Sequence, residues 1–232
     1  MPLDLLVFGP HPDDLEIGAG GTIARHASMG LNVGLCDLTA GEMGSNGTPA
    51  ERLKEAEAAR VILGAVWREN LCWPDRQIGK DPAQLEEAVA FIRRHQPRVV
   101  AVPHWSDRHP DHVAASALLT ESVFNAALGK YRAEGDAWRV EWICYYFIND
   151  STDPSFVVDI SDAYERKRQA LACHVTQFQP DTNRASTRLN TPLFLQLIES
   201  RDAQFGSRAG VRWAEGFVVR EPVLRATLMK RI

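Results

Sequence analysis

The sequence predicts an α/β fold: a three-layer sandwich around a mostly parallel, Rossmann-like sheet, with residues 1–232 forming one domain. Three observations carry that expectation. Leu5-Leu6-Val7-Phe8 and the run from Arg98 to Pro103 (RVVAVP) are short and almost continuously apolar, as strands buried on both faces are. Helical patterns with clear start signals lie between such runs, and a strand–helix–strand unit is complete by Thr39, which calls for a right-handed crossover.

In chain order, Gly9-Pro10 ends the first strand, and a helix is expected from near Leu15 to Gly30. A second strand covers Asn32 to Thr39. Thr48-Pro49-Ala50-Glu51 supplies an N-cap, a proline for the first helical position and a capping-box acid, so a helix should run to Leu63 and stop at Gly64. Asp81-Pro82 repeats the signal for a helix ending near His95. The strand Arg98 to Pro103 follows, then a helix from Asp111 to Leu128 and a strand from Glu141 to Phe147. Phe156 to Ile160 reads as a strand and Ser161 to Cys173 as a helix. Gln179 to Asn190 is polar and irregular, and a last helix from Pro192 to Phe205 should stop at Gly206.

Composition narrows the function classes. A hydrophobic share of 45% and a charged share of 24% give a core that needs no disulfide staples. The net charge is −4 and the basic residues are scattered, which argues against a nucleic-acid partner. No apolar stretch approaches the roughly 20 residues that span a bilayer, so no membrane role is expected. Cys36, Cys72, Cys144 and Cys173 form no CxxC pair and read as buried thiols. With no basic segment before the first apolar run, a reducing cytoplasm is the expected location.

Two clusters carry the chemistry: His11-Pro12-Asp13-Asp14 and His109-Pro110-Asp111-His112. Each follows a buried strand and opens a helix, which is where open α/β sheets bind ligands. Catalytic zinc takes three nitrogen or carboxylate ligands and keeps one position open. His11 and Asp14 are three residues apart at a helix start, as are His109 and His112, so each pair can face one way. Asp13, next to a ligand and not needed as one, suits the general base that takes a proton from activated water. Spacing alone leaves the ligand and base roles undistributed among these residues. The competing account makes Asp13 and Asp14 helix caps and the histidines surface residues; both clusters at matching strand ends favour a site. Gly18-Ala19-Gly20-Gly21 suggests a phosphate loop, but it lies inside the helix pattern, and Asp13 and Asp14 would repel a pyrophosphate.

With these motifs the chain resembles the LmbE-like, PIG-L-type de-N-acetylases, zinc enzymes that remove acetyl groups from N-acetylglucosamine-containing substrates. Asp37-Leu38-Thr39-Ala40-Gly41-Glu42, Asn46-Gly47-Thr48, Glu51-Arg52, Pro74-Asp75-Arg76, Asp107-Arg108 and Ala214-Glu215-Gly216-Phe217 extend the likeness over nearly the whole chain. The resemblance implies that His11, Asp14 and His112 bind Zn2+ and that Asp13 activates water. It makes His109 a protonated group that steadies the oxyanion, with Asp111 orienting it. It brings Arg52 into the substrate pocket, while Arg108 could meet an anionic aglycone. Similarity is greatest to the deacetylases of bacillithiol biosynthesis and their chitooligosaccharide-active relatives. The implied substrate is the small molecule N-acetylglucosaminyl-malate, and the implied assembly a homo-oligomer, in some relatives a hexamer. Another N-acetyl sugar conjugate of the mycothiol or chitooligosaccharide type is the alternative substrate, and a non-catalytic sugar- or nucleotide-binding protein is the weakest reading. The likeness also puts Phe194 where relatives carry a tyrosine.

Overall fold

Parallel strands form the spine. β1 (Leu5–Gly9) is central, flanked by β2 (Val33–Thr39) and β3 (Trp67–Trp73) on one side and by β4 (Val99–Pro103) and β5 (Trp142–Tyr146) on the other. β6 (Phe156–Asp159) and β7 (Ala214–Val218) complete a seven-stranded sheet of order β3-β2-β1-β4-β5-β7-β6, in which β7 runs antiparallel to both neighbours. The computed structural model describes residues 3–224. Among them no helix is long and apolar enough to cross a membrane.

Every residue of β1 and β2 is buried, because helices cover both faces of the sheet. Leu5 and Val7 join the core cluster that contains Leu15 and Ile17 of α1 (Asp14–Ser28) and Ala59 and Leu63 of α2 (Pro49–Leu63). Leu6 and Phe8 point the other way, to Ala88 and Phe91 of α3 (Pro82–His95) and Leu119 of α4 (Pro110–Ala126). This is the period-two alternation of a strand, with both sides apolar. α5 (Tyr164–Cys173) and α7 (Pro192–Ala209) lie on the α1 side, with the short α6 (Val175–Phe178) between them in sequence.

The capping box at Thr48 and Glu51 forms as expected, and α2 ends at Gly64 in the left-handed region. α5 starts later than expected, at Tyr164, because Ser161 is held in a turn by the Asp159 carboxylate. α7 runs through Gly206 and stops at Gly210. A Cβ on Gly206 would stand 2.7 Å from the Arg212 carbonyl oxygen, so this glycine permits close packing and does not end the helix. β3 and β7 have no clear signal in the sequence. β3 is an edge strand with polar Arg68, Glu69 and Asn70 at its centre, and β7 buries Glu215. The edge position also leaves Cys72 exposed, while Cys36 and Cys144 are buried, Cys173 is half-buried and all four thiols are free.

The strand order reverses between β1 and β4, so the loops after these two strands diverge and leave a crevice. The first loop carries His11 and Asp13 and leads into Asp14 at the start of α1; the second ends at His109 and leads into Asp111 and His112 in the first turn of α4.

Candidate metal centre and active site

Residues from loops at the carboxyl ends of β1 to β5 line a cavity of about 380 Å³, with Phe194 of α7 and residues of the 179–191 segment closing it. His11, Asp13, Asp14, Arg52, Arg108, His109 and His112 all border it. Asp111 is buried just behind, against His11. The two clusters separated by about a hundred positions in sequence therefore meet.

Asp14 sits between two imidazoles. Its Oδ2 atom is 3.1 Å from His11 Nδ1 and 3.3 Å from His112 Nε2. The opposite ring nitrogens are also held by carboxylates: His11 Nε2 by Asp75 at 3.1 Å and Asp111 at 3.3 Å, and His112 Nδ1 by Asp107 at 3.0 Å. A carboxylate only accepts, so each of these outer contacts fixes a proton on the ring nitrogen that faces away from Asp14. Metal-binding imidazoles are oriented in this way, with the distal N–H on an acceptor. Two imidazoles and one carboxylate, all buried, fit a catalytic zinc ion with a position left for water. His109 presents a ring nitrogen within 4.8 Å of those of His11 and His112 and so borders the same centre.

Protonation follows from this packing. Burial opposes charging of His112, but Asp14 and Asp107 outweigh it and push its pKa up to about 9. Burial likewise opposes charging of His11, and the carboxylates of Asp111, Asp14 and Asp75 raise it well above the ordinary value. Asp14 is held well below the carboxylate range: burial acts against this, and His112 and His11 prevail. Protons thus occupy positions that a cation would take over.

Asp13 differs from its neighbour. It makes no capping hydrogen bond, and its φ of 124° is a conformation that L-residues seldom adopt. Burial pushes its pKa up to about 6 despite the Arg52 guanidinium beside it. A buried carboxylate with affinity for a proton near neutrality matches the demand on a general base.

Arg52 is buried within α2, donating to the Gly41 and Pro12 carbonyls at 3.0 and 2.7 Å and to Asp13 at 3.2 Å. Its fork is thus occupied by the site's own loops while one edge borders the cavity. Arg108 is exposed at the rim.

His109 is the N-cap residue of α4, and its Nδ1 accepts the backbone N–H of Asp111 at 3.2 Å. The ring therefore carries its proton on Nε2. Burial, reinforced by the charges of His112 and His11, lowers its pKa. The resemblance implied a protonated His109 oriented by Asp111. The Asp111 backbone N–H holds the His109 ring, and the Asp111 carboxylate holds His11 and Arg76.

Asp75, Asp107 and Asn149 carry roles that sequence reasoning did not assign. Asn149 donates to Asp107 through its backbone at 2.9 Å and its side chain at 3.0 Å. The available signal was a carboxylate just beyond a strand end inside the quoted motifs; β3 went unrecognised, so Asp75 had no such address.

The family model described as PIG-L, GlcNAc-PI de-N-acetylase, matches residues 6–123, which carry all of the expected site residues. Diacetylchitobiose deacetylase of Thermococcus kodakarensis is 30% identical over 227 residues, covering 91% of this chain and 81% of its own. Among solved structures, the conserved protein TT1542 of Thermus thermophilus superposes with a TM-score of 0.89 at 41% identity, covering 99% of this chain and 100% of its own. N,N'-diacetylchitobiose deacetylase of Pyrococcus horikoshii superposes with a TM-score of 0.81 at 27% identity, over 93% of this chain and 82% of its own. The chain belongs to the PIG-L family of de-N-acetylases.

Proposed function

We propose that the protein is a zinc-dependent hydrolase that removes the acetyl group from an N-acetylglucosamine-type substrate. The observation that carries this reading is Asp14 bridging His11 and His112, with Asp13 buried beside them and no capping task to perform. Zinc held by these three residues would polarise an amide carbonyl and acidify water. Asp13 accepts the proton of the attacking water and returns it to the leaving nitrogen as the C–N bond breaks, giving acetate and a free amine. The Nε2–H of His109 donates to the oxygen that gains charge on the former carbonyl, which a neutral imidazole can do. Arg52 keeps Asp13 aimed.

Two of the similar proteins are deacetylases of diacetylchitobiose. Arg108 at the rim, exposed and near the cavity mouth, supports an anionic aglycone, in line with N-acetylglucosaminyl-malate of bacillithiol biosynthesis. The test is acetate release by zinc-loaded protein from N-acetylglucosaminyl-malate, N,N'-diacetylchitobiose and free N-acetylglucosamine. Preference for the malate conjugate supports the anionic substrate. Preference for chitobiose replaces it with an oligosaccharide, and release from none of the three overturns the proposed substrate class.

A further inference from the structure

Helix α1 is gripped from outside one turn beyond Asp14. An uninterrupted α-helix directs the amides of Gly21 and Thr22 at the carbonyls of Ile17 and Gly18. Here both amides donate to the Glu215 carboxylate, at 2.9 and 2.7 Å. The Ile17 carbonyl accepts from Arg201 at 2.6 Å. The Gly21 amide and the Ile17 carbonyl, one helical turn apart, thus each meet a charged side chain, an anion from β7 and a cation from α7.

Glu215 and Arg201 are the ends of one buried chain of charges. Lys167 of α5 donates to Glu215 at 2.7 Å and to Asp202 at 2.6 Å, and Asp202 lies 3.4 Å from Arg201 Nε. Two cations face two anions, and none of the four is more than 8% exposed. Desolvation makes such a chain a poor source of stability compared with apolar packing. What it does supply is fixed geometry.

Arg201 also donates to the carbonyls of Phe147 and Ile148, at 3.0 and 2.9 Å. Asn149 follows directly and holds Asp107, which in turn holds His112. One guanidinium therefore joins the helix that bears Asp14 to the loop that steadies His112.

We propose that Arg201 is a positioning residue for the metal centre, setting the separation of Asp14 and His112 through the Ile17 and Ile148 carbonyls. The inference rests on the reading of His11, Asp14 and His112 as metal ligands. It gives the Ala214-Glu215-Gly216-Phe217 motif a task as well, since Glu215 secures the same turn of α1 that Arg201 holds.

The experiment is a zinc titration of the full chain by chelator competition, for wild type, Arg201→Met, Arg201→Lys and the core variant Phe91→Leu. Phe91 packs on the opposite face of the sheet, so its variant reports destabilisation alone. Arg201→Met should weaken zinc binding about 10- to 100-fold, the range for lost outer-shell support. Arg201→Lys, which keeps the charge without the planar fork, should lie between it and wild type. Phe91→Leu should lower Tm and leave zinc affinity unchanged. Affinity of Arg201→Met within about twofold of wild type, well below the outer-shell range, overturns the proposal. If that variant does not fold, Arg201→Lys decides by the same criterion. A wild type that binds no zinc removes the metal reading beneath, and is thereby distinguished from failure of Arg201 alone.

Discussion

The Nη2 nitrogen of Arg52 donates to the Asp13 carboxylate at 3.2 Å while also reaching the Pro12 carbonyl at 2.7 Å. One side chain thus fixes both the backbone before Asp13 and its carboxylate. Replacing Arg52 with Met should therefore lower kcat by at least about tenfold with little change in KM, the pattern for an interaction that matters in the transition state. Steady-state kinetics on a hydrolysed N-acetyl sugar checks this. A raised KM with unchanged kcat would instead give Arg52 a substrate-binding role.

Asp13→Asn keeps the size of the side chain and removes its basicity. Turnover should fall at least about a hundredfold, as for loss of a general base, with zinc still bound. Metal content by elemental analysis and acetate release, measured on one sample, separate the two effects. Near-normal turnover would remove Asp13 from the mechanism.

Asp107 touches His112 at 3.0 Å and the Asn149 backbone at 2.9 Å. Asp107→Asn should weaken zinc affinity about 10- to 100-fold, because the amide no longer makes the His112 ring more basic. Competition with a chromogenic chelator reads the change directly. Unaltered affinity would mean that Asp107 merely shapes the loop.

Metal-free protein should lose stability on both sides of a mildly acidic window. His112 is raised from 6.5 to about 9 by Asp14 and Asp107 against the opposition of burial, so its contribution is complete below pH 6.5 and is lost as pH rises through 9. Asp107 is lowered from 3.8 to about 2 by His112, again against burial, so its contribution is present above 3.8 and is lost as pH falls through 2. Thermal unfolding of chelator-treated protein should peak between these limits. Zinc takes over from the protons and should suppress the alkaline loss. Rising metal-free stability between pH 6.5 and 9 would contradict the assignment.

Gly18 lies where α1 meets the end of β5, and a Cβ there would stand 2.7 Å from the Phe147 carbonyl oxygen and collide with the Tyr146 ring. Gly18→Ala should cost about 1–3 kcal/mol by overpacking, despite the better helix propensity of alanine. Chemical denaturation measures it. A neutral or stabilising effect would mean that α1 can shift away from β5.

Much of the site was legible before folding. His11, Asp13, Asp14, His109 and His112 stand out because residue type, spacing and strand-end placement agree, and Gly18, Gly20 and Gly21 lie inside α1 as the helix pattern predicts, against Tyr146, Lys167 and Ile160. The roles within the clusters were less legible. The resemblance made Asp111 the residue that orients His109; its backbone N–H does meet the ring, yet its carboxylate turns to His11 at 3.3 Å and to Arg76 at 3.0 Å. Which way a carboxylate turns depends on cations brought from other loops, and no local pattern records those.

The sequence by itself determined the apolar runs of β1 and β4, the capped starts of α2 and α3, and the placing of the two histidine-bearing loops just after buried strands. These follow from short-range preferences and from alternation that each segment carries alone. Only the tertiary structure decided that Asp75 and Asp107 would support the two imidazoles, that burial and the charges of His112 and His11 would lower the His109 pKa, and that Arg201 would bind α1 to the β5 loop. Those outcomes depend on burial and on hydrogen bonds between residues far apart in the chain, where the free energy of a charge is set by the neighbours that the fold supplies.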